Sequence, residues 1–227
     1  MAALRTRDRY TAGIDLYEHA LALDPRSVEA QSRLADALAG RVMEDMTDTA
    51  EADIARAEGL AAQALAASPH SPLAHHAKAQ VLRAQRRFAE AIPEYETALA
   101  SNRNWVFAMF ALGQCKLYSG AIEEVIPLVD RALRLSPRDP MRSSFFSEIG
   151  RVHLLQSRTD EALSWLEKAR DLAPRHPSFR AWVASAHALK GETDPAAAEL
   201  AEARRLSSGG RFSSMPVQKL FMSQRRK

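Results

Sequence analysis

Ala98-Leu-Ala-Ser-Asn-Arg103 and Ala132-Leu-Arg-Leu-Ser-Pro137 close two helices in the same manner. Four further stretches repeat the closure: Ala20-Leu-Ala-Leu-Asp-Pro25, Ala64-Leu-Ala-Ala-Ser-Pro69, Ala169-Arg-Asp-Leu-Ala-Pro174 and Ala203-Arg-Arg-Leu-Ser-Ser208. Their leading alanines stand 44, 34, 34, 37 and 34 residues apart. An interval recurring at this length is that of one helix-turn-helix unit, which buries its apolar faces by stacking on its neighbours. The chain reads as a repeat array grown by stacking, one elongated domain without a single closed core.

The third unit shows the pattern most plainly. Its first helix is expected near Ser71 to Arg86 and its second from about Phe88 to Ala100, with Arg86-Arg87 in the turn. Ala79 falls at the helix crossing. Ala91, Tyr95 and Ala98 follow i, i+4, i+7 spacing, which marks one buried helical face. Later units repeat the chemistry: Gly113, Gly150 and Ala184 at the crossing, Val125, Ala162 and Ala196 at the next small position, and Val129, Leu166 and Leu200 as the bulk opposite Tyr95's place. Gly120 and Gly191 supply turns where a left-handed backbone is cheap only for glycine.

These residues resemble the tetratricopeptide family, whose 34-position pattern combines a large residue, Leu-Gly, Tyr, Ala, an aromatic, Ala and Pro. Arg103 and Ser208 depart from it in place of the closing proline, and Lys78 stands where an apolar residue is usual. The resemblance implies an all-α, right-handed superhelical solenoid of about five and a half units plus a C-terminal capping helix. The array would span residues 1–208, with units ending near 25, 69, 103, 137, 174 and 208, followed by a helix and basic tail at 209–227.

The irregular intervals have plain locations. The interval of 44 adds ten residues between the helices of the second unit, around Gly40 to Asp53, predicting lengthened helices, a short loop and Thr47 or Thr49 as cap of the next helix. The interval of 37 adds three residues in Ser136-Pro-Arg-Asp-Pro-Met141, where two prolines oppose helix. Near the start, Gly13 to Leu23 reads as the second helix of a unit with Ile14, Tyr17 and Leu21 as its stripe, and twelve residues precede it, too few for a full partner helix. Ser214 to Met222 reads as a final amphipathic helix with Pro216 in its first turn and Val217, Leu220 and Phe221 on one face.

Composition narrows the function. The single cysteine, Cys115, rules out an intrachain disulfide and a cysteine-based zinc site, and suits a small buried apolar residue. No apolar run resembles a secretory signal or a membrane span, so a cytoplasmic chain is expected, with no membrane partner. The sequence pI is about 9.2, but the residues beyond Glu202 carry seven lysines and arginines and no acid. Set against a total of +3, this leaves residues 1–203 at −4, so a phosphate-tracking stripe and a nucleic-acid partner are not expected.

Catalytic motifs are absent: no phosphate loop, no Gly-x-Ser-x-Gly elbow, no His-Glu-x-x-His. His70, His75 and His76 are the nearest approach to a metal cluster, but adjacent helical residues diverge by about 100° and rarely share an ion. The reading is of a non-enzyme with no cofactor and no metal. Glu123-Glu124 and Glu44-Asp45 read as exposed faces.

Binding is the better expectation. The first helices of successive units build a concave wall suited to an extended peptide or a partner helix. By helical geometry it comprises Glu29, Ser32, Arg33 and Asp36, then His76, Gln80 and Arg83, then Phe107, Phe110, Gln114 and Tyr118, then Ser147 and Arg151, then Trp182 and Ser185. Phe107, Phe110 and Tyr118 either anchor a partner or pack against neighbouring helices. Arg83 and Arg151 offer guanidinium forks for a carboxylate.

The wording of the chain also resembles the C-terminal repeat region of large α-proteobacterial class III adenylate/guanylate cyclases. Arg41-Val-Met-Glu-Asp-Met-Thr-Asp48, Leu82 to Glu96, Leu112-Gly-Gln-Cys-Lys-Leu117 and Leu135-Ser-Pro-Arg-Asp-Pro140 carry that likeness, which extends over most of residues 10–206. It implies a regulatory interaction module behind a catalytic domain and no cyclase activity of its own. An unpaired apolar face at Ile14 would fit a piece of a longer chain. The alternative is a stand-alone adaptor whose self-association hides that face.

Overall fold

The computed structural model describes residues 7–207. Among them are eleven α-helices, one 3-10 turn and no strand. The helices are α1 (Arg7–Leu23), α2 (Val28–Met43), α3 (Ala50–Ala67), α4 (Pro72–Ala84), α5 (Phe88–Ser101), α6 (Val106–Ser119), α7 (Val125–Leu135), α8 (Arg142–Leu155), α9 (Thr159–Leu172), α10 (Pro177–Leu189) and α11 (Thr193–Leu206). Two compact units divide between Ala121 and Ile122, inside the fourth helix pair. The expected C-terminal helix and basic tail lie outside the described residues.

In the first unit, α1 to α6, consecutive helices pack antiparallel around alanine. Ala57, Ala61, Ala77, Leu34 and Leu38 form one core cluster with Ile14. Small residues at the crossings let the backbones approach, and Tyr95, fully buried, fills the space that alanines leave. Ser27 and Ser71 cap α2 and α4, each accepting the amide of the third residue onward, Ala30 and Ala74.

Two expectations are corrected here. Helix α1 starts at Arg7, six residues before the expected Gly13, and Ile14 is only 5% exposed because α2 and α3 cover it. The second unit of the pattern does have long helices, α2 of 16 residues and α3 of 18. Thr49 occupies the N-cap position of α3 without capping through its side chain. Its hydroxyl donates instead to Asp53 Oδ1 at 3.4 Å, while Thr47 Oγ1 accepts the Thr49 amide at 3.1 Å. Arg41 clamps the same carboxylate with Nε at 2.6 Å and Nη2 at 2.5 Å, so the lengthened hairpin is pinned by a fork of charge-assisted bonds.

In the second unit, α7 to α11, the alanine and glycine crossings recur. Gly150 of α8 is pressed on α9: a Cβ there would lie 2.6 Å from Leu166 Cγ and 3.1 Å from the Ala162 carbonyl oxygen. Glu199 of α11 accepts from Arg170 Nη1 on α9 and Arg180 Nη1 on α10, both at 2.8 Å, tying three helices. Gly120 and Gly191 have the expected positive φ of 94° and 81°. Asp45, Arg86 and Ser157 adopt φ of 59°, 62° and 58° at the corresponding turns of other pairs, so the left-handed position is a property of the hairpin and not of glycine. Lys78 meets no packing conflict: it is exposed and its Nζ lies 2.6 Å from Glu94 Oε1.

Candidate functional site: the groove of the first unit

The first helices of a pair place every third or fourth residue on one wall, and in the first unit this wall borders a groove of about 340 Å³. Arg33, Asp36, Ala37, Gly40 and Met43 of α2 line it, with Gln80 of α4 and Phe107 of α6. Tyr10, Gly13 and Tyr17 of α1 close its end. The sequence reading puts no α1 residue in this wall: a helix beginning at Gly13 leaves out Tyr10, and Tyr17 is assigned to the apolar stripe; the spacing of Tyr10, Gly13 and Tyr17 carries the signal. Tyr10 lies so close over Gly40 that a Cβ on that glycine would sit 2.9 Å from the ring.

A polar network forms the floor. Gln80 Nε2 donates to Asp36 Oδ1 at 2.7 Å, while Gln80 Oε1 accepts from the Tyr95 hydroxyl and from Arg83 Nη1, both at 2.7 Å. Two donors on the oxygen and a carboxylate on the nitrogen fix the orientation of the amide. Burial pushes the Tyr95 phenol well above its usual range, so it stays a donor. His76 is 3% exposed, among the rings of Tyr95, Trp105 and Phe107 with centroids at 5.5, 4.3 and 5.7 Å. Its Nε2 is 3.7 Å from Asp36 Oδ1, and neither ring nitrogen has a hydrogen-bond partner. Burial pushes its imidazole down from the ordinary range, which the Asp36 carboxylate opposes and Arg83 and Arg33 reinforce.

The expected wall residues thus separate. His76, Gln80, Arg83 and Phe107 come together around Asp36. Phe110 is 6% exposed and belongs to the packing between helices, so truncating it would open a cavity as well as remove a contact. Gln114 is half-buried, and exposed Tyr118 stacks on Phe88 with centroids 4.7 Å apart, outside the groove. In the second unit Ser147 and Arg151 are buried. The Arg151 guanidinium is already held, with Nη1 3.0 Å from Glu148 Oε2 and its carbon 4.8 Å from the Trp182 ring centre. Ser185 donates to the Ala181 carbonyl at 2.9 Å.

The adjacent histidines go to opposite surroundings. His75 Nδ1 lies 2.6 Å from Glu94 Oε2 and Nε2 2.9 Å from the Pro69 carbonyl oxygen, while His76 faces the groove floor. Among the described residues no group of three or more His, Cys, Asp or Glu is arranged to hold a metal ion. Cys115 is fully buried. No described helix is long and apolar enough to cross a membrane.

Comparison with known proteins bears on the fold. No curated protein matches in sequence. Among solved structures, PilW, a widely conserved type IV pilus biogenesis factor, is 18% identical over 94% of this chain and 91% of its own, with a TM-score of 0.69. Pseudomonas aeruginosa pilF is 23% identical over 80% of this chain and 79% of its own, with a TM-score of 0.61. YrrB, a TPR protein with an unusual peptide-binding site, is 17% identical over 87% and 95%, with a TM-score of 0.57. At these identities the likeness is one of fold. The tetratricopeptide repeat profile matches residues 50–104, 76–140, 110–177 and 147–211, covering most of the chain, and the chain belongs to the tetratricopeptide repeat family.

Proposed function

We propose that this chain is a non-catalytic protein-interaction module whose first-unit groove seats a segment of a protein partner. One observation carries the reading: a concavity of about 340 Å³ lined by Tyr10, Tyr17, Met43, Phe107 and Arg33, with Asp36 and Gln80 in its floor. Aromatic, methionine and arginine side chains are the types that dominate protein interfaces, and a few fixed polar groups set orientation. The fold is shared with a protein that has a peptide-binding site and with a pilus biogenesis factor, which supports an interaction role.

The finer reading places the module in the C-terminal part of a signalling protein such as an adenylate/guanylate cyclase, supported by the wording of Arg41–Asp48 and Leu82–Glu96. In that setting the partner is a catalytic domain of the same full-length chain, and the reading frame around the gene tests it directly. A stand-alone adaptor is the alternative. Selection of peptides from a random displayed library against the full chain tests the groove itself. Enriched peptides are expected to lose about tenfold or more in affinity with Phe107→Ala and nothing with Tyr118→Ala. No enrichment, or binding indifferent to Phe107, would sink the reading.

A further inference from the structure

Asp36 is the one acidic side chain among those lining the groove of the first unit, and no cation meets it there. Its Oδ1 accepts the Gln80 amide at 2.7 Å, but Oδ2 has no donor, and no lysine or arginine among the described residues stands within ion-pair distance of either oxygen. His76 directs its Nε2 at the same carboxylate from beneath, 3.7 Å away; it is 3% exposed and neither ring nitrogen is partnered. Burial keeps that imidazole uncharged at neutral pH, so it does not balance the carboxylate. Arg33, three residues earlier on α2, leans towards Glu29 with its Nε 3.7 Å from Oε1. Arg83 stands behind the Gln80 amide, Nη1 on Oε1 at 2.7 Å, and Glu44 also acts on its charge. The carboxylate is therefore held by an amide of fixed orientation in the floor of a cavity, with 32% of the side chain open.

We infer that a lysine or arginine side chain of the partner segment sits on Asp36, its apolar stem against the lining of the groove. The inference rests on reading the groove as an interaction surface and names the residue type which that surface selects. The rest of the cavity fits both parts of such a side chain. Tyr10, Tyr17 and Phe107 line it, and aromatic rings attract a cation as well as covering a methylene stem; Met43 adds apolar surface without a donor. Other side chains match less. An apolar one would take water from Asp36 and supply no donor, and a carboxylate would set like charges together. Because Tyr95 and Arg83 lock the Gln80 amide through its oxygen, the carboxylate is already in place and little ordering remains for binding.

The displayed random peptide library, selected against the full chain, tests this. Enriched peptides are expected to share one lysine or arginine at a fixed position. Replacing that residue by methionine in the synthetic peptide, and Asp36→Asn in the chain, are each expected to weaken binding about tenfold, and the two together no more than either alone. Asparagine keeps an oxygen for the Gln80 amide, so Asp36→Asn should unfold thermally as wild type does. If it does not, the peptide substitution on the wild-type chain decides: a loss of about tenfold upholds the assignment and a smaller one overturns it. Enriched peptides with no shared basic residue, or two losses that add independently, overturn it as well. In those cases binding that depends on Phe107 keeps the groove as an interaction surface and removes only the basic anchor. No enrichment removes both.

Discussion

Gly150 and Arg86 show how a single backbone position sets the energetics of a helix pair. At Gly150 a methyl group would press on Leu166 and on the carbonyl of Ala162, and the backbone oxygen cannot rotate away. Gly150→Ala is expected to lose about 1–3 kcal/mol in urea unfolding, overpacking outweighing the better helix propensity of alanine. Arg86 is exposed and holds φ of 62°, a conformation costly for an L-residue with a Cβ. Arg86→Gly should therefore raise stability by about 1 kcal/mol in the same measurement; a loss would show that the arginine side chain contributes more than its backbone costs. The buried stripe residues were legible because size alternation repeats across units. Phe110 was not separable from Phe107, since both lie on one helical stripe and only the neighbouring helices decide which of the two is open.

Helix lengths were readable from the interval of 44, and the proline-bounded loop between α7 and α8 from the interval of 37. The start of α1 was not, because a repeat template assigns nothing before Gly13. The α2–α3 hairpin offers a direct test. Burial pushes the Asp53 carboxyl up, but hydrogen bonds from Arg41, Thr47 and Thr49 and the Arg41 charge more than reverse this, leaving it below its ordinary value. A carboxyl depressed on folding contributes stability above its unfolded range, and that contribution disappears as pH falls through the folded value. Asp53→Asn is expected to cost about 1–2 kcal/mol at neutral pH and to flatten the acid limb of the stability profile. Equal acid limbs in the two proteins would assign that slope elsewhere.

For the molecule as a whole, repeat class and the identity of the stacked stripes followed from spacing alone, because each unit must bury the same faces. The division between Ala121 and Ile122 did not, since nothing in the fourth repeat's wording differs from its neighbours there. Response to acid is likewise a property of the assembled chain. His76 is pushed down by burial, so below its ordinary value of 6.5 the unfolded chain takes up a proton that the folded chain refuses. Stability should fall as pH drops from 6.5 until the folded imidazole itself titrates. His76→Phe is expected to remove part of that slope below pH 6.5, as seen by thermal unfolding. An unchanged slope would place the proton uptake at other groups, such as His153, which burial also pushes down.

The Gln80 network bears on a hazard peculiar to arrays, pairing in the wrong register. Alanine interfaces of similar shape let a helix pair dock one unit out of place, within a nascent chain or between crowded ones. Gln80 corresponds by repeat spacing to Asp36, Gln114, Arg151 and Ser185, and Tyr95 to Val129, Leu166 and Leu200. A shifted neighbour would take the Asp36 carboxylate away from the Gln80 amide nitrogen and leave that donor buried without it, at about 1–3 kcal/mol. The network thus serves as an address: it marks which helix follows which in a chain whose apolar surfaces are nearly interchangeable.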